Sequence, residues 1–359
     1  MVRVIGFDVG GVNTKAAYVE TEEGTVVEHR TASEYFPVWR RSLENLPVML
    51  GGLIEQLRES SRLNGIGLTM TAELSDAYRT KREGVHHILD SMEQVLDGVP
   101  GFVLDVDAGL RSVKEARKDP LAVAAANWAA TGWMVSQRMR DCIIVDIGST
   151  STSIIPVVDG GIAAQGRNDI EKLMVGELVY TGSLRTNVAA IVDSIRLREG
   201  EARVSSELFA QSGDVHLILG NIEEGDYTVD TADGRERTRE ESMARLARVI
   251  CADIEMLGEE EIVDIAKQVY DAQIEQVAEG LRQVHDGLKH RGKHEPPVMV
   301  TGLGRDFLAK AAAGRAGFKE IVNFGEVIGP EAALVSPSVG VALMMASRLE
   351  GRTVQWMQR

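Results

Sequence analysis

The amino-acid sequence is that of an acidic, globular protein of 359 residues, which is more than one typical domain needs. Hydrophobic residues make up 44% and charged residues 26%, so disordered and fibrous classes are excluded. The 39 Lys and Arg residues are outnumbered by 54 Asp and Glu residues, and the formal net charge is −15. Nucleic acids and anionic membranes bind basic surfaces, and we therefore expect neither as a partner.

Cysteine usage and hydropathy favour a cytoplasmic protein. Cys142 and Cys251 are the only cysteines in the sequence, too few for a disulfide framework. The longest apolar-rich run, 121–135, is interrupted by Asn127 and Thr131 and is too short to cross a bilayer. The N-terminus lacks the long apolar core of a signal peptide, so we expect no membrane attachment.

Apolar spacing predicts alternating strands and helices, which is typical of the α/β fold class. The predicted strands of the first part are 2–8, 16–19, 25–30, 66–71 and 101–106, and its predicted helices are 43–63, 84–96 and 121–138. The predicted strands of the second part are 142–146, 154–158, 178–180, 215–219 and 298–301. Its predicted helices are 238–257, 259–290, 305–313 and a closing helix through residue 349, with a linker at 290–297.

One pattern occurs twice: an apolar strand that ends in Asp, a polar turn that contains glycine, and a second apolar strand. The first copy has Asp8 followed by Gly10 and Gly11, and the second has Asp146 followed by Gly148. A single hairpin with Asp and Gly is common in proteins. Two copies, each at the start of a candidate domain, indicate a true internal repeat.

The composition of both turns favours phosphate binding. Glycine lets backbone N–H groups approach a phosphate closely, and hydroxyl side chains add further donors. An aspartate at the end of the first strand can hold Mg²⁺ through waters, so Asp8 and Asp146 are candidate catalytic and metal-ligating residues. Ordinary hairpins with local Asx hydrogen bonds are the alternative. The candidate binding residues of the two turns are Gly10, Gly11, Asn13, Thr14, Lys15, Gly148, Ser149, Thr150, Ser151 and Thr152.

A third glycine pattern follows the predicted strand 298–301, where Gly302 and Gly304 precede a predicted helix. Such a turn lets a flat ring or a ribose lie against the backbone, so both glycines are candidate binding residues. A simple turn from strand to helix is the alternative, and the pattern alone does not decide between the two.

These three patterns together resemble the phosphate and adenosine motifs of the actin-like ATPase superfamily, in segments 7–11, 145–149 and 298–304. Further stretches resemble the hydantoinase A-like branch of the hydantoinase/oxoprolinase proteins, namely 68–76, 145–156, 178–186 and 214–234. The resembling segments keep the family order and span nearly the whole chain. The chain departs from the family pattern at Ala72, Ser153 and Asn187, and Ser153 stands where the second turn usually ends in an acid.

The resemblance implies an actin-like fold, in which two ribonuclease-H-like domains face each other across a cleft. Asp8 and Asp146 would then lie on opposite walls of that cleft. The implied domains are 1–139 and 140–359, with an inserted segment of about 166–295 in the second. The closing helix is expected to pack back on the first domain.

The same branch includes synthases of methanofuran biosynthesis, so the resemblance implies an aryl ether synthesis. In that reaction [5-(aminomethyl)furan-3-yl]methyl diphosphate condenses with γ-glutamyltyramine and releases diphosphate, which makes the enzyme a transferase of an alkyl group. The resemblance implies Mg²⁺ as the metal that balances the diphosphate charge. ATP is not expected to be required, because the leaving group is itself a diphosphate.

That reaction needs a base for the phenol and cations for the departing diphosphate. Glu73 and Asp76 follow an apolar run and are candidate catalytic residues, although acids that favour a helix N-terminus are the alternative. Lys81 and Arg185 are candidate diphosphate-binding cations, and the alternative for each is an ordinary surface charge.

One more cluster of polar residues, Asp214, His216, Asp230 and Asp233, has the composition of a metal or amine site. A protonated aminomethyl group on the substrate would favour a carboxylate partner. A loop with Asx turns explains the same residues, and both interpretations stay open at this point.

Three other functions fit the same resemblance. An ATP-dependent kinase would use the third glycine pattern for its nucleotide, and a hydantoinase-like amidohydrolase would couple ATP to ring opening. A nucleotide-switched assembly protein would not be an enzyme, and would need an exposed apolar contact surface. For the synthase we expect small-molecule substrates as partners, and a homo-oligomer is left open.

Overall fold

The computed structural model describes residues 1–289 and 295–356, which form two compact units. Unit 1 contains Met1–Cys142, Ile155–Glu171 and the segment from Phe324 onward, and unit 2 contains Ile143–Ile154 and Lys172–Asn323. This division differs from the predicted domains 1–139 and 140–359, because two segments beyond residue 140 belong to the first unit.

The strands lie close to their predicted positions in the first part of the chain. They are β1 (Val2–Val9), β2 (Asn13–Glu22), β3 (Thr25–Tyr35), β4 (Gly65–Met70), β5 (Gly101–Leu104), β6 (Leu110–Ser112), β7 (Cys142–Ile147), β8 (Thr152–Val158), β9 (Gly161–Ile162), β10 (Leu178–Val179), β11 (Ser194–Leu197), β12 (Gly200–Arg203), β13 (Val298–Gly302) and β14 (Ile321–Asn323). One sheet has the order β3-β2-β1-β4-β5-β6, and a second has the order β10-β8-β7-β13-β14. Both copies of the predicted repeat are therefore adjacent strands of a sheet.

The helices complete an α/β architecture. They are α1 (Leu46–Arg58), α2 (Lys81–Val95), α3 (Val113–Lys118), α4 (Asn127–Ser136), α5 (Asp169–Val175), α6 (Ser212–Ile218), α7 (Arg239–Arg248), α8 (Glu259–Lys289), α9 (Lys310–Arg315), α10 (Gly325–Ile328), α11 (Pro330–Leu334) and α12 (Ser336–Glu350). A π-helical turn, Arg305–Ala309, precedes α9. Among the described residues, no helix combines the length and the hydrophobicity needed to cross a membrane.

The closing helix α12 packs directly on the backbone of the first sheet. Successive residues of a strand point to opposite faces, and in β1 the side chains of Ile5 and Phe7 join the apolar core that includes α1 and α2. Gly6 faces the other way, where a Cβ atom would lie 2.2 Å from the carbonyl oxygen of Ser338 and 2.5 Å from the nitrogen of Ala342. Only glycine permits this approach, and the helix packs on the first unit as the sequence analysis expected.

Unit 2 is built around the 31-residue helix α8. Its buried face includes Ile262, Ile265 and Val269, which share a core with residues of α6 and α7. In the sheet, β13 runs parallel to β7 and places Thr301 beside Asp146. The two predicted glycine patterns of this unit therefore meet at the same end of neighbouring strands.

At least three sequence predictions of local structure are wrong. The helix predicted at 238–257 ends at Arg248, and Cys251 beyond it has a left-handed φ of 60°. Residues 121–138 were predicted as one helix, but Ala125 adopts a left-handed conformation with φ of 49°, and α4 begins only at Asn127. Residues 215–219 were predicted as a strand and lie largely in α6, which a reciprocal capping box between Gln211 and Asp214 begins. Short apolar runs do not separate strand from helix by periodicity, which explains the error at 215–219.

Gly6→Ala is expected to destabilise unit 1 by about 1–3 kcal/mol, because the new methyl group would push α12 away from β1. Gly52→Ala is the matched control. Gly52 lies in α1, where a new methyl group would have no atom within 4 Å, and alanine favours helix by up to about 1 kcal/mol there. Urea unfolding measures both changes. A Gly6→Ala midpoint equal to that of the wild type would contradict the packing described here.

Candidate functional site

The first repeated turn lies at the carboxyl end of β1 in unit 1. Asp8 is buried and is in register with Lys15 on β2 and with Thr69 on β4. The N–H of Gly10 donates to the carbonyl of Asn13 at 3.2 Å and closes the turn. A Cβ atom on Gly10 would lie 2.6 Å from the same carbonyl oxygen, so this position requires glycine.

Buried hydroxyl groups accompany this aspartate. Within residues 1–289 and 295–356, the Oγ1 atoms of Thr14 and Thr69 are buried and have no hydrogen-bond partner. Buried polar atoms without partners are rare in folded proteins, and they are found where a ligand or ion supplies the missing contact. Lys15, in contrast, donates from Nζ to the carbonyl of Leu334 at 3.0 Å and so contacts backbone of its own unit.

The second repeated turn lies at the carboxyl end of β7 in unit 2. The N–H of Gly148 donates to the carbonyl of Ser151 at 3.0 Å, as the equivalent bond does in the first turn. Gly302 has φ of 84°, and a Cβ atom there would lie 2.6 Å from Oδ1 of Asp146. The N–H of Gly304 donates to the carbonyl of Ile147 at 3.1 Å. The structure thus brings the second and third glycine patterns together around Asp146.

A further turn, residues 181–186, packs against the second glycine turn through its backbone. The N–H of Ser183 donates to the carbonyl of Gly148 at 2.9 Å, and the N–H groups of Leu184 and Arg185 donate to the carbonyl of Ser149 at 3.0 Å. These bonds place the guanidinium of Arg185, whose Nη1 is 3.5 Å from Oγ1 of Thr150, beside the hydroxyls. The predicted cation and the predicted hydroxyl turn therefore lie next to each other.

Gln273 on α8, which is not among the residues predicted from the sequence, forms hydrogen bonds with the 181–186 turn. Its Nε2 donates to Oγ1 of Thr181 and to the carbonyl of Gly182, both at 2.9 Å. Its Oε1 lies 3.0 Å from Nε2 of His216. Gln273 is fully buried, four residues after Val269 on the apolar face of α8, and a polar residue on such a face is the signal that could have found it.

His216 is a structural histidine rather than a metal ligand. Its Nδ1 lies 3.2 Å from Nδ2 of Asn221, so a neutral ring that donates from Nε2 to Gln273 satisfies both contacts. Burial lowers the pKa of His216 to about 4, although the hydrogen bond to Gln273 opposes that shift. The ring is therefore neutral at physiological pH.

Two acids of the predicted cluster, Asp214 and Asp233, are paired with arginine side chains. Nε of Arg245 donates to Oδ1 of Asp214 at 2.8 Å, and Ser242 donates to the same oxygen at 3.0 Å. Arg245 also contacts Asp233 at 3.2 Å, where Arg248 binds the second oxygen. Because Arg245 and Asp214 are completely buried, these contacts explain Asp214 and Asp233 as part of the fold of unit 2.

Glu73 is a buried acid of a different kind in unit 1. Its side chain is fully buried, and within the described residues neither Oε atom has a hydrogen-bond partner. Nζ of Lys81 is 3.8 Å from Oε1 and also forms a salt bridge with Asp169. Burial raises the pKa of Glu73 to about 7, against the opposing effects of Lys81 and of nearby backbone. Asp76, the other predicted acid of this stretch, is exposed.

Comparison with known proteins identifies the family. Residues 64–348 match the family model of the hydantoinase/oxoprolinase proteins. The chain belongs to this family. It is 35% identical, over 97% of its length and 99% of the relative's, to a (4-{4-[2-(γ-L-glutamylamino)ethyl]phenoxymethyl}furan-2-yl)methanamine synthase of Methanocaldococcus jannaschii. It is 36% identical to a protein of the same name from Methanococcus vannielii, over 61% of this chain and 97% of that one.

The fold of this hydantoinase/oxoprolinase protein is shown independently by a solved structure. A nucleotide-free acetone carboxylase superposes with a TM-score of 0.57 at 12% sequence identity, covering 95% of this chain and 70% of the other. The predicted actin-like fold is therefore confirmed. That Asp8 and Asp146 act on one ligand stays a prediction, as do the roles of the turn residues.

His216 makes the stability of this hydantoinase/oxoprolinase protein dependent on pH. The folded-state pKa of about 4 lies below the ordinary value of 6.5, so between these values only the unfolded chain takes up the proton. The contribution of neutral His216 to the free energy of unfolding is therefore fully present above pH 6.5. It falls by up to about 3 kcal/mol as the pH approaches 4. In His216→Asn this contribution is absent, so its unfolding free energy should converge toward the wild-type value as the pH falls. A constant difference from pH 7.5 to 4.5 in urea unfolding would contradict this.

Proposed function

We propose that this chain is a (4-{4-[2-(γ-L-glutamylamino)ethyl]phenoxymethyl}furan-2-yl)methanamine synthase that acts in methanofuran biosynthesis. The observation that carries the proposal is 35% identity over nearly the full length of both this chain and the M. jannaschii relative. The name of that relative describes a product in which a phenol oxygen is joined to a furanylmethyl carbon. The substrates that give this ether are γ-glutamyltyramine and an aminomethyl-furanmethyl diphosphate.

The reaction is a displacement at the furanylmethyl carbon. A new bond forms between this carbon and the phenol oxygen, while the bond to diphosphate breaks and its electron pair leaves with the diphosphate. The furan ring stabilises positive charge at the reacting carbon, so the breaking bond can lengthen early. The protein therefore has two tasks, which are to stabilise the charge of the leaving diphosphate and to accept the phenol proton.

The polar turns of unit 2 suit the first task. Arg185 lies beside the hydroxyl of Thr150, and the carbonyls of Gly148 and Ser149 are already engaged by the 181–186 turn. An anion is repelled by free carbonyl oxygens and attracted by guanidinium, hydroxyl and N–H donors. This donor set supports diphosphate binding at Gly148, Ser149, Thr150 and Ser151. The predicted donor Thr152 does not belong to it, because its buried hydroxyl donates to the carbonyl of Thr181 at 2.7 Å.

Mg²⁺ fits the side chains at the strand ends. Asp8, Asp146 and the hydroxyls near them offer hard oxygen ligands, and the buried hydroxyl of Thr69 has no partner within the described ranges. Asp8 in unit 1 and Asp146 in unit 2 are each a candidate ligand of the ion, which would supply charge neutralisation to the diphosphate. The remaining donors orient the diphosphate so that the furanylmethyl carbon stays accessible to the phenol.

An ATP-dependent kinase of the same fold is the second candidate. The contact between the Gly302–Gly304 segment and Asp146 favours it, because a nucleotide could use that segment for its adenosine and the adjacent turn for its phosphates. ATP and the furan diphosphate would then compete for the same donors.

The synthase is expected to release one diphosphate per ether formed when it is incubated with both substrates and Mg²⁺ in the absence of ATP. The reason is that the leaving group is already activated as a diphosphate ester. Coupled diphosphate detection and chromatography of the ether measure the two products. Strict dependence on ATP, with orthophosphate as the inorganic product, would favour the kinase instead.

Arg185→Ala is expected to raise the KM of the furan diphosphate about 10- to 100-fold and to leave that of γ-glutamyltyramine nearly unchanged. A charge-assisted hydrogen bond contributes about 1.5–3 kcal/mol, and only one substrate carries the diphosphate. Inorganic diphosphate should also inhibit the variant more weakly. Arg203→Ala, at an exposed arginine of β12, is the control. Equal effects on both substrates would argue against the assigned contact.

A further inference from the structure

We propose that Glu73 is the general base that accepts the phenol proton, and that Lys81 and Asp169 form a charge pair that controls it. The proposal rests on the synthase function proposed above and assigns the second task of that reaction. It also gives Lys81 a role other than the diphosphate binding predicted from the sequence.

The position of Glu73 suits a reacting group. It lies in the 3₁₀ turn Ala72–Leu74, directly after the buried strand β4, which runs parallel to its neighbours β1 and β5. Ligands of open α/β sheets bind outside the carboxyl ends of parallel strands. Gly84 of α2 packs on this turn, where a Cβ atom would lie 2.6 Å from the Cα of Glu73. The acid is therefore held rigidly at the edge where substrates are expected.

The carboxylate of Glu73 has no hydrogen-bonded side-chain partner among the described residues, although the backbone N–H groups of Glu73 and Ala125 are close enough to lower its pKa. Both Oε atoms are buried, and neither has a hydrogen-bond partner in the described part of the chain. A buried carboxylate without partners costs several kcal/mol of stability, and a purely structural acid would be paired, as Asp214 is with Arg245. A carboxylate that no side chain hydrogen-bonds keeps acceptor capacity with which a base can receive a proton from a substrate hydroxyl.

The titratable groups around Glu73 are one charge pair, Lys81 with Asp169, and two neutral side chains, Tyr78 and His87. Lys81, at the start of α2, lies 3.8 Å from Oε1, beyond direct hydrogen bonding, and its ammonium binds Asp169 of α5. Tyr78 lies between the turn and α2, and its hydroxyl is 2.7 Å from Nδ1 of His87. Burial and the charge of Glu73 raise the pKa of Tyr78, and burial lowers that of His87, so both are neutral near pH 7.

The result is an acid whose charge changes near the working pH. Burial raises the pKa of Glu73 to about 7, Lys81 opposes the rise and Asp169 adds to it. A general base is most effective when its pKa lies near the operating pH, and an ordinary glutamate would be too weak a base for a phenol. About a quarter of each side chain of Lys81 and Asp169 is exposed, whereas Glu73 is fully buried. The pair is therefore the part of this cluster that contacts solvent.

The proton balance of the step is simple. Glu73 as carboxylate takes the phenol proton while the phenol oxygen forms its bond to the furanylmethyl carbon, and diphosphate leaves with the electrons of the breaking bond. Glu73 then loses the proton to water after the ether is released. No oxidant, reductant or further reactant is required.

The test compares pH profiles of kcat/KM for the wild type, three test variants and one control variant. Glu73→Gln, which keeps the shape and removes the charge, should lower kcat at least 100-fold. The wild-type profile should fall on its acidic side with a midpoint near pH 7. Lys81→Gln removes an attractive charge and should move this midpoint upward, whereas Asp169→Asn removes a repulsive charge and should move it downward. Glu93→Gln, an exposed acid of α2, is the control and should leave the profile unchanged.

The proposed function and the proposed base are tested by different measurements. Wild-type ether formation tests the proposed function, whereas the Glu73 and charge-pair variants test only the base. Glu73→Gln activity within threefold of the wild type would overturn the proposal, as would a midpoint that both charge-pair variants leave in place. A Lys81→Gln variant with a higher KM for the furan diphosphate and an unmoved midpoint would return Lys81 to diphosphate binding. Infrared difference spectra of the wild type against Glu73→Gln should show a carboxyl titrating near pH 7, independently of turnover.

Discussion

The backbone contact between the second glycine turn and residues 181–186 is the constraint on which the site of unit 2 depends. Three consecutive N–H groups, those of Ser183, Leu184 and Arg185, bind carbonyls of the glycine turn. This contact fixes the place of the Arg185 guanidinium through main-chain atoms, and it removes carbonyl oxygens that would repel an anion. Gln273 donates to the carbonyl of Gly182 in the same segment, so the position of the partly buried Arg185 also depends on a buried amide of α8.

Two buried carboxylates, Asp214 and Glu73, differ in the side chains that bind them. Asp214 is bound by Arg245 and Ser242 and braces helices α6 and α7. Glu73 is equally buried, yet its nearest cation is shared with Asp169 and stays beyond hydrogen-bonding distance. Burial raises the pKa of both acids. Hydrogen bonds from Arg245 and Ser242 oppose the rise at Asp214, whereas at Glu73 the opposing ammonium of Lys81 makes no direct hydrogen bond. Of these two acids, the proposed base is therefore the one to which no cation is directly hydrogen-bonded.

The sequence was informative where chemistry depends on local spacing. The repeat around Asp8 and Asp146, the glycines of both turns and the adjacency of Arg185 to a polar turn follow from short segments, and the structure contains all three. Gln273 and Asp169 could not be predicted in the same way, because each acts on residues 88–92 positions away in the chain. The strand predicted at 215–219 is wrong for another reason. A five-residue apolar run fits a strand or a helix equally well, and only the helix cap at Gln211 distinguishes the two.

A net charge of −15 gives an anionic substrate no long-range attraction, so affinity for a diphosphate must come from donors at short range. Hydroxyls, backbone N–H groups, one arginine and a divalent ion can provide it, because their contributions depend on contact geometry rather than on the field of the whole protein. An acidic protein also favours departure of the anionic product once the ion and the donors release it. Under the proposed function, the overall charge would thus promote the escape of diphosphate, while the turns confine its binding to one place.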